Sequence, residues 1–535
     1  MKTIKMLVSL MLVFMMIFSM SSVALAADVT VTVDSRLNGH TFEAYQIFKG
    51  TEYKATPESA TQLIDVKWGT GIDGVEFLAA LKAEESFEDR FKDCADAADV
   101  AEALDGLADN SDAAKKFADL ADEHKSATKT TITTATATLD SGYYLIVDTT
   151  NLEDKDGAKN AALLQVTGDI TIAYKTDKPT VEKKVLEEDD YTTDGGYGVG
   201  YNDVADYCIN EVVTYHLIGR VPDMSEYNKY EYRFVDEMDA ALELDEDSIK
   251  VYLSSDKKVD ETDSLIASTY YTDDATAAGF DVYFEDLKEV PGIAKDKYVI
   301  VEYKANVSLT AEPGLNGYLN GVHLKYSNNP DQGGLGKTEK DFVIVFTYEL
   351  DVNKVDGETG TGLGGAKFVL YRGEGANKEY VQINAANKVT GWTPNKDDAK
   401  TFETVAEQAF AIIGLDAGTY YLEETVAPEG YNKLKEPIKL VIDATMLADA
   451  ERQNWDEFIP KDALLKVDLT VDGKAVEPSE EDDDRPIGIV ATKVENNQGT
   501  TLPETGGIGT TLFYIVGAAL VLGAVVVLIT RKRMN

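Results

Sequence analysis

Short runs in which apolar and polar residues alternate recur along most of residues 28–499. They include VTVTVDS (Val29–Ser35), VVTYHLIG (Val212–Gly219), YEYRFVD (Tyr230–Asp236), KYVIVEYKANV (Lys297–Val307) and GVHLKYS (Gly321–Ser327). Period two places every second side chain on one face of an extended strand, so each run offers a sheet one face to bury. Turn residues separate the runs, and short strands at such spacing predict β-sandwiches of the immunoglobulin-like kind. The chain has 535 residues, which calls for several such units rather than one core. Its 28 tyrosines suit half-exposed strands.

The pattern divides the chain. Residues 27–177 open on a strand, but 74–125 break the alternation: they are rich in Ala, Asp, Glu and Lys. Apolar residues fall there at helical spacing, at Leu78, Leu81, Phe87, Phe91, Leu104, Leu107, Phe117 and Leu120. This predicts a helical insertion in a β domain. Strands return at SGYYLIVD (Ser141–Asp148) and ITIAYK (Ile170–Lys175). TDKPTVEKKV reads as a linker into a new first strand, with Pro179 favouring extended chain. A middle sandwich is expected over 178–340, closed by the Gly-rich stretch at Gly333–Gly336, and a third over 341–499. Gly39, Phe42 and Tyr45 are spaced like Gly365, Phe368 and Tyr371, and GYYLIVD echoes TYYLEET, so the first and third units are expected to share a fold.

The two ends set the destination. Lys2 and Lys5, the apolar Met6–Met20 and the small residues of Ala24-Leu25-Ala26 form a signal peptide over 1–26. Residues 500–535 hold Leu502-Pro503-Glu504-Thr505-Gly506, then an apolar run from Leu512 to Ile529, then Arg531-Lys532-Arg533. That run is long enough to cross a bilayer, and the basic tail holds its end in the cytoplasm. The arrangement resembles the sorting signal of sortase substrates. The resemblance implies cleavage between Thr505 and Gly506, transfer of Thr505 to an amine, and a surface protein of a Gram-positive cell wall whose precursor is only transiently in the membrane. A net charge of −44 excludes nucleic acid as a partner, since phosphate binding needs basic patches. Cys94 and Cys208 fall in different predicted domains and read as free thiols. Four scattered histidines give no metal-ligand spacing, and no phosphate loop or nucleophile elbow is present. Neither metal, cofactor nor enzymatic activity is expected.

The most specific internal motif is Tyr420-x-Leu422-x-Glu424-Thr425-x-Ala427-Pro428-x-Gly430-Tyr431. It resembles the E-box of Gram-positive pilin and Cna-B-type domains. With the sorting signal, it makes the exported chain similar to a sortase-assembled pilus backbone subunit of the SpaA type. The implied fold is a tandem of Cna-B-like sandwiches carrying spontaneous Lys–Asn isopeptide bonds, each catalysed by a buried acid. The chemistry requires a neutral amine. Burial lowers a lysine pKa and raises that of a carboxyl, so the acid can polarise the amide and relay a proton as ammonia leaves.

Alternation supplies the candidates. In TYELDVNK, Tyr348, Leu350, Val352 and Lys354 share a face, and near the end Val490, Val494 and Asn496 do the same. With Glu424 as the acid, Lys354 and Asn496 form the expected pair of the third domain, Asn497 being the alternative to Asn496. In the middle domain, alternation favours Lys183 over Lys184 and Asn328 over Asn329, and Asp236 resembles the family's aspartate. The first domain departs from the pattern. Counting back from Gly39, as Lys354 precedes Gly365, gives Asp28; the E-box Glu position is Val147, with Asp148 an imperfect substitute. No bond is expected there.

The family's polymerising lysine lies in a YPKN-type motif near the end of the first domain. Here Ile172-Ala173-Tyr174-Lys175-Thr176 lacks the Pro and the Asn. Lys175 is the first choice and Lys178 the second. The implied partners are pilus-class and housekeeping sortases, identical subunits in a covalent polymer, peptidoglycan and accessory pilins. Two readings follow: a pilus shaft subunit, or a monomeric wall-anchored adhesin with the same domains.

Overall fold

The protein is described from a computed structural model covering residues 28–53, 62–105, 107, 111–159, 161–166, 169–173, 177–188, 194–276, 279–314, 316–330, 333–447, 463–476, 486–498 and 508–533. The predicted signal peptide, Lys175 and Leu502–Gly506 lie outside these described residues.

The alternating runs become strands, and the strands pair into three sandwiches, as expected for an all-β chain. In the first, a three-stranded sheet (Thr136–Asp140, Asp28–Val33, Ile170–Ile172) faces a five-stranded one built around Phe42–Tyr53 and Gly142–Asp148. The helical insertion forms where it was predicted, with helices at Gly74–Ala83, Ala97–Ala103 and Asp112–Glu123. Each starts on a side chain that accepts from free backbone N–H groups: Asp73, Asp96 and Ser111. Leu81, Phe87, Phe91, Leu104, Phe117 and Leu120 are buried in one cluster, with Leu78 and Leu107 at its margin. Phe77, missed by the spacing argument, is fully buried and meets Phe117 edge to face at 5.2 Å.

The middle sandwich packs a six-stranded sheet on a seven-stranded one. Tyr215, Tyr230, Tyr232, Tyr303 and Tyr326 are among its fully buried side chains, so much of the tyrosine fills the core instead of lining half-exposed faces. The boundary expected at residue 340 moves. Asp341–Phe346 completes the middle domain's seven-stranded sheet, parallel to Val204–Asp206 and antiparallel to Tyr318–Ser327. Thr347 alone separates it from Tyr348–Asp356, the first strand of the third sandwich. One apolar run thus serves two domains, which hides the joint from a reading of alternation.

The third sandwich pairs a three-stranded sheet (Phe410–Leu415, Tyr348–Asp356, Ile489–Asn496) with an eight-stranded one that includes Lys367–Arg372 and Gly418–Val426. Its core is continuous with that of the middle domain. Gly414, at φ +92°, lets Ile209 of the middle domain close on the backbone: a Cβ there would lie 2.4 Å from Ile209 Cδ1. Ile209 N–H donates to the Gly414 carbonyl at 3.0 Å, and Arg372 pairs with Glu211 at 2.7 Å. Cys94 and Cys208 are both free and buried.

His323, on the strand Tyr318–Ser327, is 3% exposed, and neither ring nitrogen has a hydrogen-bond partner among the described residues. Burial pushes its pKa down to about 4. The unfolded chain then holds more protons than the native one between about pH 4 and the ordinary value near 6.5, so stability falls as pH drops through that window. Denaturation midpoints measured from pH 7 to 4 should decline, and His323→Gln should flatten that slope.

Candidate cross-linking sites

The last strand of the third sandwich, Ile489–Asn496, runs parallel to the first, with Lys354 opposite Val494 and Asp356 opposite Asn496. Lys354 and Asn496 are therefore diagonal neighbours on one face, and both are buried, at 2% and 1% exposure. Glu424 arrives from the facing sheet, opposite Phe368, and is also buried. Its carboxylate accepts from Asn496 Nδ2 at 3.0 and 3.2 Å and from the Leu434 N–H at 2.7 Å. Asn496 Nδ2 also donates to the Asn432 carbonyl at 2.9 Å, while its Oδ1 is buried with no partner among the described residues. Lys354 Nζ donates to the Val494 carbonyl at 2.8 Å. Burial pushes its pKa down to about 8, against the opposing pull of Glu424. The structure thus gathers an amine that readily becomes neutral, an amide held by a carboxylate, and an unsatisfied carbonyl oxygen. Such a set suits nucleophilic attack on the amide carbon with loss of ammonia.

Asn432 and Leu434 were not singled out from sequence. They follow the E-box Tyr431, whose hydroxyl donates to Asp356 at 2.7 Å and accepts from Gln498 Nε2 at 2.8 Å. Only the motif's own length hinted that this segment belongs to the site.

In the middle sandwich Lys183 is fully buried and ion-paired with Asp236. Burial lowers the lysine pKa to about 8, partly offset by Asp236, and raises that of the aspartate. The neighbouring asparagine is Asn320, not Asn328. Lys183 Nζ donates to Asn320 Oδ1 at 2.5 Å, and Asn320 is fully buried. Asn320 and Asn328 share a face by parity, but eight strand residues separate them by roughly 27 Å. Asn328 instead lies at the junction with the first domain. Its Nδ2 donates to the Leu152 carbonyl at 2.9 Å, and its own carbonyl accepts from the Lys159 N–H at 2.6 Å.

The first sandwich repeats the third's frame without its chemistry. Asp28–Val33 runs parallel to Ile170–Ile172, and the Asp34 N–H donates to Ile172 as Gly357 donates to Asn496. On that register Val31 stands where Lys354 does and Ile172 where Asn496 does, and both are fully buried. Asp28 is thus not the equivalent position. Asp148 lies opposite Phe42 as Glu424 lies opposite Phe368, so Asp148, rather than Val147, occupies the acid position. It pairs with His40 Nδ1 at 2.7 Å.

Lys178, the second choice for joining subunits, forms an ion pair with Asp156. Beyond the sorting motif a helix runs from Ile508 to Arg533, and its Phe513–Lys532 portion is long and apolar enough to cross a membrane.

Residues 348–454 match the SpaA family, described as a prealbumin-like fold domain, and residues 494–535 match the LPXTG cell wall anchor motif. The chain is 26% identical over 280 residues to the trypsin-resistant surface T6 protein of Streptococcus pyogenes serotype M6, covering 44% of this chain and 48% of that protein. It therefore spans about half the length of this curated relative. Among solved structures it is similar to the T6 backbone pilin of serotype M6 Streptococcus pyogenes, with 18% identity, TM-score 0.48, and coverage of 90% of this chain and 100% of that one. It is also similar to the full-length major pilin SpaD of Corynebacterium diphtheriae, with 17% identity, TM-score 0.46, and coverage of 89% and 98%.

Proposed function

We propose that this cell-wall-anchored surface protein, whose third sandwich is a pilin-type domain, is the shaft subunit of a covalent pilus. In this reading a sortase cleaves after Thr505 and joins it to a lysine of the next subunit, Lys175 being the first choice. A housekeeping sortase then fixes the finished polymer to peptidoglycan. Accessory pilins are further partners. The chain's role is structural, and its only chemistry is the formation of its own cross-links, Lys354 to Asn496 and Lys183 to Asn320. The observation that carries the reading is that two adjoining sandwiches each bury a lysine and an asparagine with a carboxyl group, upstream of a sorting signal.

The second reading, a monomeric wall-anchored adhesin, is favoured by the missing Pro and Asn around Lys175. Immunoblots of wall extracts separate the two. A shaft subunit gives a high-mass ladder that survives SDS. Lys175→Ala is expected to leave wall-linked monomer and no ladder, and Thr505→Ala to abolish all wall linkage. A single wall-linked band from the unaltered chain would establish the adhesin, and wall linkage of Thr505→Ala would sink the sortase reading.

A further inference from the structure

The two cross-linking sites differ in how the acid reaches the nitrogen that must leave. In the third domain Glu424 contacts Asn496 Nδ2 directly, at 3.0 and 3.2 Å. In the middle domain the acid is an aspartate, one methylene shorter, and a phenol bridges it to the amide. Tyr303 OH accepts from Asn320 Nδ2 at 2.6 Å and donates to Asp236 Oδ2 at 3.2 Å. The tyrosine is fully buried, its ring stacked on Tyr215 at 5.1 Å and edge-on to Phe280 at 4.6 Å. Lys183 Nζ lies 5.4 Å from the Tyr303 ring centre. Lysine, aspartate, asparagine and tyrosine thus close a ring of four hydrogen-bonded groups in a water-excluded core.

Resting on the cross-linking reading above, we propose that Tyr303 is a second catalytic residue of the middle domain, relaying a proton from Asp236 to the departing nitrogen of Asn320. Lys183 first passes one proton to Asp236, leaving a neutral amine and a neutral acid. Nζ then attacks Cγ of Asn320, and the carbonyl π pair moves onto Oδ1. Nδ2 takes the Tyr303 hydroxyl proton, and Asp236 replaces it. The Cγ–Nδ2 bond breaks, its electron pair leaves with ammonia, and the carbonyl re-forms. The attacking nitrogen returns its surplus proton to Asp236, which ends protonated. One C–N bond forms, one breaks, and no oxidant or reductant is needed. Burial keeps the phenol protonated until it is called on, raising its pKa well above the ordinary range. Glu424 touches the leaving nitrogen itself, so the third domain needs no relay.

The test uses the full-length chain, extracted in detergent after a short pulse of synthesis and sampled over time. Tryptic mapping follows the Lys183–Asn320 peptide pair, with the Lys354–Asn496 pair in the same molecules as internal control. Tyr303→Phe keeps the ring and removes the hydroxyl. It is expected to slow the middle-domain bond by about a hundred-fold or more, the usual worth of a positioned acid, and to leave the third-domain bond at its normal rate. A Tyr303→Phe chain that cross-links its middle domain as fast as wild type would overturn the relay. Should that variant lose protease resistance in the middle domain, a fluorotyrosine placed at 303 keeps both ring and hydroxyl while making the phenol more acidic. The rate should then shift several-fold, and an unchanged rate would again overturn the proposal. If the wild-type chain never carries the middle-domain pair, the cross-linking reading of that domain falls, and the relay with it. That outcome is distinct from a wild-type bond that ignores Tyr303.

Discussion

Glu424→Ala is expected to yield a third domain that folds but never cross-links. The unaltered chain should carry the Lys354–Asn496 peptide pair about 17 Da lighter than its sequence, one ammonia per bond. In Glu424→Ala the two peptides should appear separately, at full mass. The fold should survive because the core is built by Leu350, Val352, Phe368, Leu370, Leu422 and their neighbours, not by the acid. Stability should not be spared. The bond closes a loop of roughly 140 residues, which on the chain-entropy account used for disulfides is worth about 5 kcal/mol, less any native strain. The denaturation midpoint of this domain should therefore drop steeply. A pair that still forms in Glu424→Ala would keep the bond and reject Glu424 as its catalyst.

The second large effect separates two asparagines, Asn320 on the strand Tyr318–Ser327 and Asn328 just past its end. Asn320→Ala is expected to abolish the middle-domain bond, whose partners lie 137 residues apart, with a loss of similar size. It also strips a buried ammonium of an acceptor. Asn328→Ala should leave that bond intact. Its cost should appear where the Asn328 side chain bonds to the Leu152 carbonyl, as faster proteolysis of the segment 151–159 that docks the first domain on the second, the backbone bond from Lys159 being kept. Tyr326 OH, which accepts from the Gly157 N–H at 3.0 Å, holds the same segment and should limit the damage. Peptide mapping beside a protease time course reads both effects. The reverse pattern, with Asn328→Ala losing the cross-link, would reject the assignment to Asn320.

Much of this was legible in the chain because period-two alternation fixes which side chains turn inward. Once the resemblance called for a Lys–Asn pair, alternation picked Lys354, Asn496 and Lys183, while Glu424 and Asp236 came from the resemblance itself, and all are buried. What alternation cannot give is position along a strand. Asn320 and Asn328 have the same parity, and only pairing with the next strand, which sets Val322 opposite Asp236 and Asn320 opposite Met238, decides which one meets Lys183. Counting offsets failed in the first domain for a related reason. Val31 lies eight residues before Gly39, whereas Lys354 lies eleven before Gly365, so the connecting turn is three residues shorter. The echo of TYYLEET in GYYLIVD is likewise offset by one residue: Tyr144, whose hydroxyl donates to the Asp140 carbonyl as that of Tyr420 donates to Asp416, is the counterpart of Tyr420, and this puts Asp148 rather than Val147 at the acid position. These are properties of packed neighbours, not of any run read alone.

The apolar pair Val31 and Ile172 gains meaning when the fibre is pulled. In the proposed polymer, tension enters each subunit at Lys175 and leaves at Thr505. The middle and third sandwiches lie between those points in series, and in each the proposed bond shunts the load from strand to strand before any core can be peeled open. The first sandwich ends at Ile172, short of the point where force arrives. In that polymer it lies outside the path of the load and carries none of the strain. A covalent clamp there would brace nothing, and the parallel pairing of its first and last strands, with Val31 and Ile172 packed in the core beneath, is enough for a domain that this polymer would not stretch.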